Sequence, residues 1–181
     1  GDEEKALRYE AARSVIVKAI QENLWDSQKK FFGDLHVPSN CLETTYAVSG
    51  FWPLAAGAAT ESQAANLVKH LTDPELFWTP FPVSTVAVKE AGFDLDCWRG
   101  PVWVSQNLWL VLGLRRYGYL QEAAQLVIKT LEGMQKVWDR DRKIYEFYHP
   151  QEFFPDKLTR KGKDYGPVVY YTGHNPLHAI V

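Results

Sequence analysis

Hydrophobic residues recur at helical spacing in three stretches of the chain. Over residues 4–24, Ala12, Val15, Ile16, Ala19 and Ile20 fall on one stripe with charge between them, which predicts an amphipathic helix. Over 61–71, Ala64, Leu67, Val68 and Leu71 form a second stripe, and Thr60 with Gln63 has the spacing of a capping box at its start. A third run, 119–138, carries Ala123, Ala124, Val127, Ile128, Leu131 and Met134 on one side. Gly118 stands just before it and suits the end of a preceding helix.

Two stretches between these differ. Residues 102–117 include Val102, Trp103, Val104, Leu108, Trp109, Leu110, Val111, Leu112 and Leu114, apolar nearly all round, so this helix should be buried on most sides. Pro53 opens another apolar stretch, Pro53-Leu54-Ala55-Ala56-Gly57-Ala58-Ala59. Proline suits a first helical position, since its φ is already helical and its missing N–H is not needed there. Amphipathic and buried helices thus alternate, as an outer ring of helices around an inner ring would require.

The alternation comes with an internal repeat. Trp25-Asp26, Lys30-Phe31-Phe32 and His36 recur at the same spacing as Trp138-Asp139, Lys143-Ile144-Tyr145 and His149. After the first copy comes Ser49-Gly50-Phe51-Trp52-Pro53-Leu54-x-Ala56. After the second, beyond a longer loop, comes Thr172-Gly173-His174-Asn175-Pro176-Leu177-x-Ala179. Each unit offers an outer helix, a Trp-Asp turn, a short β-prone stretch, and Gly and Pro opening an inner helix. Gly100-Pro101 opens the 102–117 helix in a related way. The expected fold is all-α, with three outer and three inner helical segments, and β-prone hairpins near 30–36 and 143–149 at one end. Three such pairs are about half of an (α/α)6 toroid.

Composition narrows the function classes. With 46% hydrophobic residues among 181, the chain can bury a real core. A net charge of −2 gives no footprint for nucleic acid, and no apolar run is long enough to span a membrane. The acidic start, Gly1-Asp2-Glu3-Glu4, is unlike a signal peptide. Cys41 and Cys97 are far apart, and the five histidines show no metal-ligand spacing, so neither metal nor cofactor is expected. Aromatic residues make up 14% of the chain, which suits stacking on the apolar faces of sugar rings as well as a large aromatic core.

Two stretches carry candidate chemistry. Cys97-Trp98-Arg99-Gly100-Pro101-Val102-Trp103 sets two indoles and a guanidinium around a helix entrance. Arg offers forked donors to hydroxyls or carboxylates, and Trp offers stacking faces; a buried Trp pair with Arg99 tying down a loop is the structural alternative. In Ile144-Tyr145-Glu146-Phe147-Tyr148-His149-Pro150, a single carboxylate sits among aromatics. Gly33 holds its position in the first copy, so the turn itself does not require Glu146. It is a candidate general base, with a solvated hairpin glutamate as the alternative. The aromatic loop Leu76–Ser84, which includes Trp78, reads as packing or as function. The charged run 157–163 reads as a solvated loop face.

In combination these segments resemble a clan of glycoside hydrolases that contains processing α-glucosidases, trehalases and mannosylglycerate or glucosylglycerate hydrolases. The resemblance rests on Trp98-Arg99-Gly100-Pro101-Val102-Trp103, Asn107 and Gly113-Leu114-Arg115-Arg116-Tyr117-Gly118. It also rests on Gly50-Phe51-Trp52-Pro53-Leu54-Ala55-Ala56-Gly57, on Phe77–Ser84, and on Tyr145-Glu146-x-Tyr148-His149-Pro150, in the clan's order. It implies an (α/α)6 toroid of which residues 1–181 are the C-terminal portion, and hydrolysis of α-glycosidic bonds with inversion. It also implies that Glu146 is the water-activating base, with Trp98, Arg99, Gly100, Trp103, Asn107, Trp78 and Tyr148 shaping a sugar subsite. The clan's general-acid Asp belongs to a segment preceding Gly1; Asp34, Asp94 and Asp96 are the local carboxylates, without motif support. Cys97, Leu108 and His174 stand where the clan has Tyr, an aromatic and Trp. The expected partners are a carbohydrate substrate and the other half of the toroid or a second copy, and the isolated chain should show little hydrolysis. Two other classes fit the helical pattern. A non-catalytic helical-hairpin carbohydrate-binding or scaffold module would bury Glu146 in a salt bridge or leave it solvated. A cyclase-type α-toroid would want an Asp-rich or Cys/His metal motif, which the sequence lacks.

Overall fold

The computed structural model describes residues 1–171. The five α-helices among them are α1 (Asp2–Asn23), α2 (Trp52–Ala56), α3 (Glu61–Leu71), α4 (Val104–Arg116) and α5 (Leu120–Asp141). The long α1 and α5 and the amphipathic α3 alternate with α2 and α4. Helix α4 packs against both α2 and α5. The third inner helix, expected from Pro176, lies outside the described residues.

Local chemistry explains the helix boundaries. At the start of α3 the Thr60 hydroxyl accepts from Gln63 N–H at 3.2 Å, and the Gln63 side chain accepts from Thr60 N–H at 2.9 Å. The expected stripe of Ala64, Leu67, Val68 and Leu71 is buried against the core. Gly118, at φ 81°, breaks the chain between α4 and α5. Helix α4 begins at Val104 and not at Val102, because Val102 is extended and bridges Ser84 on one side and Tyr148 on the other. Helix α4 is buried on most sides, as expected, though not all round. Leu110 and Leu114 reach the core, but Trp109 and Leu112 remain 47% and 43% exposed. Helix α1 buries no residue and leaves Val15 and Ile16 of its stripe exposed. It is held by Ile20 and Leu24 against the core, and by Arg13 and Gln21 donating to the carbonyls of Gly57 and Ala58 at 3.2 and 2.8 Å.

The main core is aromatic at its centre. Phe31, Phe51 and Phe77 are fully buried, with Phe51 edge-on to both others, and Leu54, Leu67, Leu71, Leu110, Leu114 and Leu126 surround them. A smaller cluster of Phe81, Val102, Val104, Val137 and Tyr148 lies under the end of α5.

The two repeat copies fold differently. In the first, α1 stops before Trp25, and β1 (Trp25–Asp26) pairs antiparallel with β2 (Phe31–Phe32). A second hairpin, β3 (Asp34–His36) with β4 (Cys41–Glu43), follows at once. No side chain fits at Gly33 between them: a Cβ there would lie 2.6 Å from the Glu43 carbonyl and 2.5 Å from the Thr44 hydroxyl. In the second copy α5 runs through Trp138 and Asp139, so these residues are helical and form no turn. Burial of Val137 in the cluster with Phe81 and Tyr148 accounts for the extension, whereas Trp25 instead docks edge-on against Phe32. Residues 143–149 make no hairpin; Tyr145, Tyr148 and His149 form single bridges to Val169, Val102 and Phe153. The copies nevertheless meet at one end. Bridges Ala47–Val86, Ser84–Val102 and Val102–Tyr148 run from one copy to the other across the starts of α2 and α4.

Replacing Thr60 by Ala removes one half of the capping box and should cost about 1 kcal/mol of stability. Urea unfolding should show an earlier midpoint with an unchanged slope; an unchanged midpoint would deny the cap its role.

Candidate active site

Backbone pairing places the two candidate motifs side by side. Val102 N–H donates to the Tyr148 carbonyl at 2.8 Å, and Tyr148 N–H returns the bond at 3.0 Å. The neighbours of this pair, Trp103 and Phe147, stack with centroids 5.2 Å apart and planes 26° apart. Trp98 stacks on Trp103 at 3.8 Å and 12°. The Trp103 indole N–H donates to the Cys97 carbonyl at 2.9 Å, which fixes its rotation. The result is a three-ring stack that begins at fully buried Phe147 and ends at Trp98, which is 42% exposed.

Glu146 precedes Phe147 and is buried, its side chain only 1% exposed. The Arg160 guanidinium donates through Nε to Oε2 at 2.9 Å and through Nη2 to Oε1 at 3.3 Å. Val168 N–H adds a contact to Oε2 at 3.3 Å, and the Glu146 N–H donates to the Val168 carbonyl at 2.9 Å. A buried carboxylate without such partners would carry a large desolvation cost, and Arg160 supplies its counter-ion here. The Glu146 carboxylate in turn holds the Arg160 charge more firmly than in water. This corrects the reading of 157–163 as a solvated face: Arg160 points inward. No local spacing announces it; only the need of a lone, aromatic-flanked carboxylate for a counter-ion could have pointed to it.

The turn carrying Arg160 is fastened to the Trp98 loop. Asp96 accepts from the Thr159 hydroxyl at 2.8 Å and from Gly162 N–H at 3.0 Å. The Gly162 N–H is the main cause that holds the Asp96 carboxyl below its usual range. Thr159 N–H donates to the Leu95 carbonyl, and Cys97 N–H donates to the Thr159 carbonyl, both at 3.0 Å. Burial, and then the charge of Glu146, pushes the Cys97 thiol above its ordinary value.

The other expected site residues divide. Arg99 is exposed and pairs with Asp94, with Asp96 at 3.8 Å; it makes no hydrogen bond to Glu146. Gly100 acts through its lack of a side chain, since a Cβ would fall 2.3 Å from the Asp94 carbonyl. Asn107 is fully buried away from the stack. Its Oδ1 accepts from Val83 N–H at 3.2 Å, and its Nδ2 donates to the Pro82 carbonyl and the Thr130 hydroxyl at 2.9 Å, so it ties the 79–86 loop to α4 and α5. Trp78 packs partly buried against the main core. Tyr148 is buried in the smaller cluster, tilted on Phe81 at 5.2 Å, with its hydroxyl accepting from Tyr145 N–H at 3.1 Å. These three serve packing in this arrangement. Asp94 and Asp96 are engaged by Arg99 and the 159–162 turn, and Asp34 is exposed in the first copy.

A further feature escaped sequence reasoning. A cleft of about 290 Å³ between α2 and α4 is lined by Trp52, Ala55, Ala56, Gln106 and Trp109, with the Trp52 indole N–H donating to Gln106 Oε1 at 3.1 Å.

The mannosylglycerate hydrolase MGH1-like glycoside hydrolase domain matches residues 1–165. Periplasmic trehalase of Salmonella choleraesuis is 27% identical over 154 residues, covering 82% of this chain and 25% of that protein. Among solved structures, a mannosylglycerate hydrolase from Thermus thermophilus in complex with glucose superposes with a TM-score of 0.64 at 25% identity, over 76% of this chain and 34% of the other. Neutral trehalase from Saccharomyces cerevisiae superposes at 0.67 with 25% identity, over 75% and 25%. The chain thus spans about a quarter of the length of the curated relatives it matches, and its stacked hairpins are part of an (α/α)6 toroid.

Burial pushes the Tyr148 hydroxyl up to about 12, whereas in the unfolded chain it ionises near 10. Above pH 10 the unfolded state therefore holds fewer protons than the folded one, and stability falls as pH rises. The expected slope from this residue is about 1.4 kcal/mol per pH unit between 10 and 12. Tyr148→Phe should flatten the fall in urea midpoint over that range; an identical alkaline slope in the variant would contradict the assignment.

Proposed function

The chain belongs to the mannosylglycerate hydrolase MGH1-like glycoside hydrolase family, and from that premise we propose that it is the C-terminal portion of the (α/α)6 catalytic domain of an inverting glycoside hydrolase. In this reading the parent enzyme cleaves the α-glycosidic bond of a glucoside or related sugar. This chain supplies the general base, Glu146, and one wall of the sugar subsite. The observation that carries the proposal is the Val102–Tyr148 pairing, which brings Trp103 onto Phe147, the residue next to Glu146, at the buried end of the Trp98–Trp103–Phe147 stack. A pyranose seated against exposed Trp98, with Arg99 offering forked donors at the rim, would present its anomeric face toward the Glu146 side. Glu146 takes a proton from a water that attacks the anomeric carbon. An acid from the remainder of the toroid protonates the leaving oxygen, the two carboxyl groups standing roughly 6.5–9.5 Å apart to admit the water.

One observation favours a second reading. The bidentate Arg160–Glu146 pair is what a non-catalytic carbohydrate-binding or scaffold module would contain. Glu146→Gln in the intact parent separates the two. The expected result is a loss of about 10²–10⁴-fold in kcat with the fold retained, and NMR of the first product formed by the wild type should show inverted configuration. Near-full activity of the variant would favour the second reading, and retention of configuration would exclude the mechanism.

The partner of the open α2–α4 face follows from the same proposal. Trp52, Trp109 and Leu112 are exposed along these inner helices, and apolar patches of this kind are normally covered. The rest of the toroid covers them in the parent; in its absence a second copy does. Light scattering of the isolated chain should therefore report self-association, and an aryl α-glucoside assay should report little or no hydrolysis. An active monomer would overturn this account and return Asp94 or Asp96 as the acid.

A further inference from the structure

Each copy of the repeat carries a histidine at the same place, His36 and His149, and neither has a part in the chemistry above. Both use Nδ1 to fasten the turn that follows. In the first copy, exposed His36 meets the Ser39 hydroxyl at 2.6 Å. In the second, His149 is 3% exposed, and its Nδ1 accepts from two backbone groups at once, Gln151 N–H at 3.1 Å and Glu152 N–H at 3.0 Å. The turn it closes is a demanding one. Phe153 stands at φ 73°, a left-handed conformation that bulky side chains rarely adopt, and it exchanges two backbone bonds with His149, at 3.0 and 3.3 Å. The turn also braces the frame of the site. Phe81 N–H donates to the Pro150 carbonyl at 2.9 Å, and Phe153 stacks on Phe81 at 6.0 Å. His149 itself directly follows Tyr148, the partner of Val102.

We propose that His149 is an acid-sensitive clasp: as a neutral ring it holds the 150–153 turn closed beside the site, and on protonation it lets the turn go. The two partners set the chemistry. A backbone N–H only donates, so Nδ1 must keep its lone pair, and the ring's own proton must sit on Nε2. The imidazolium carries an N–H at both nitrogens, and its Nδ1–H would point at two further donors. A hydroxyl both donates and accepts, so the His36–Ser39 contact survives protonation by turning the Ser39 hydroxyl round. The two copies therefore differ in acid response although the residue is the same. The surroundings do not offset the effect. Burial holds His149 below its ordinary value, with Glu152 opposing and Lys157 reinforcing the shift, and those two are paired with each other at 2.7 Å. On α5, Lys136 stands over the Phe153 ring at 3.9 Å, and Arg140 is engaged with Asp141 and Asp156. The 79–84 loop that packs on the turn carries no titratable side chain. An unfolded histidine takes its proton near about pH 6.5, so the clasp contributes fully above that value and is lost as the pH falls through the lower folded one.

Hydrogen–deuterium exchange of the 181-residue chain, read on the peptide that spans 150–154 and corrected for the intrinsic effect of pH, tests the clasp without an activity assay. Between about pH 7.5 and about pH 5, exchange in that peptide should quicken at least about threefold, the ceiling being about tenfold per pH unit. The amides of α4 should keep their protection over the same range. His149→Asn, whose side-chain carbonyl accepts from the same N–H groups at either pH, should exchange at a rate that pH no longer changes. His36→Asn should respond as the wild type does. Should His149→Asn fail to fold, the imidazole nitrogen resonances of the wild type give the answer. At neutral pH the His149 Nδ1 should show the signature of an unprotonated acceptor, changing to that of an N–H on acidification. Constant protection of 150–154 overturns the clasp. So does an acid response that persists in His149→Asn, vanishes in His36→Asn or is shared by α4, and so does an Nδ1–H tautomer at neutral pH.

Discussion

The two hydrogen bonds between Val102 and Tyr148 join segments that are remote in sequence, and most of the site's geometry depends on them. They stop α4 from starting earlier and bring Trp103 onto Phe147. They also place Glu146 one residue from the stack. Ser84 on the far side of Val102, and Asn107 gripping Pro82 and Val83 behind it, keep the pairing in register. Asn107 thus supports the site from beneath while touching none of its exposed surface. A buried amide with three partners is costly to replace, because each lost partner leaves a polar group unsatisfied.

Above that frame the site divides into an aromatic part and an ionic part. The stack is packed into a core and fixed by an indole hydrogen bond, so its geometry is set before any ligand arrives. The segment 158–170 is joined to Glu146 through the Arg160 ion pair and the Val168 N–H contact. The aromatic surface is therefore pre-formed, and the carboxylate beside it is capped by Arg160 and Val168.

Features that depend on nearby residues were legible in the sequence. The capping box at Thr60 and Gln63, the stripe of α3 and the break at Gly118 all arise within a turn or two of chain, and all appear as expected. The inner–outer alternation was legible for the same reason, and motif order pointed to the clan. What could not be read was set by distant contacts. Trp138 and Asp139 stayed helical because Val137 found a pocket made by Phe81, Val102 and Tyr148. Asn107 and Tyr148 carried motif positions but use their polar atoms in packing. Arg160 lay in a charged run whose composition signalled solvent, and only the third dimension showed its carboxylate.

Gly33 occupies in the first copy the place that Glu146 holds in the second, and the Glu43 carbonyl and Thr44 hydroxyl leave no room there for even a methyl group. A carboxylate at this position is thus sterically excluded from the first unit and accommodated in the second. If the units descend from a common ancestor, their division of labour is no longer reversible by a single base change. The first copy is committed to tight hairpin geometry, and only the second remains free to carry an acidic group. Any redesign that sought a carboxylate in both halves would have to rebuild the β3–β4 hairpin before touching the glycine.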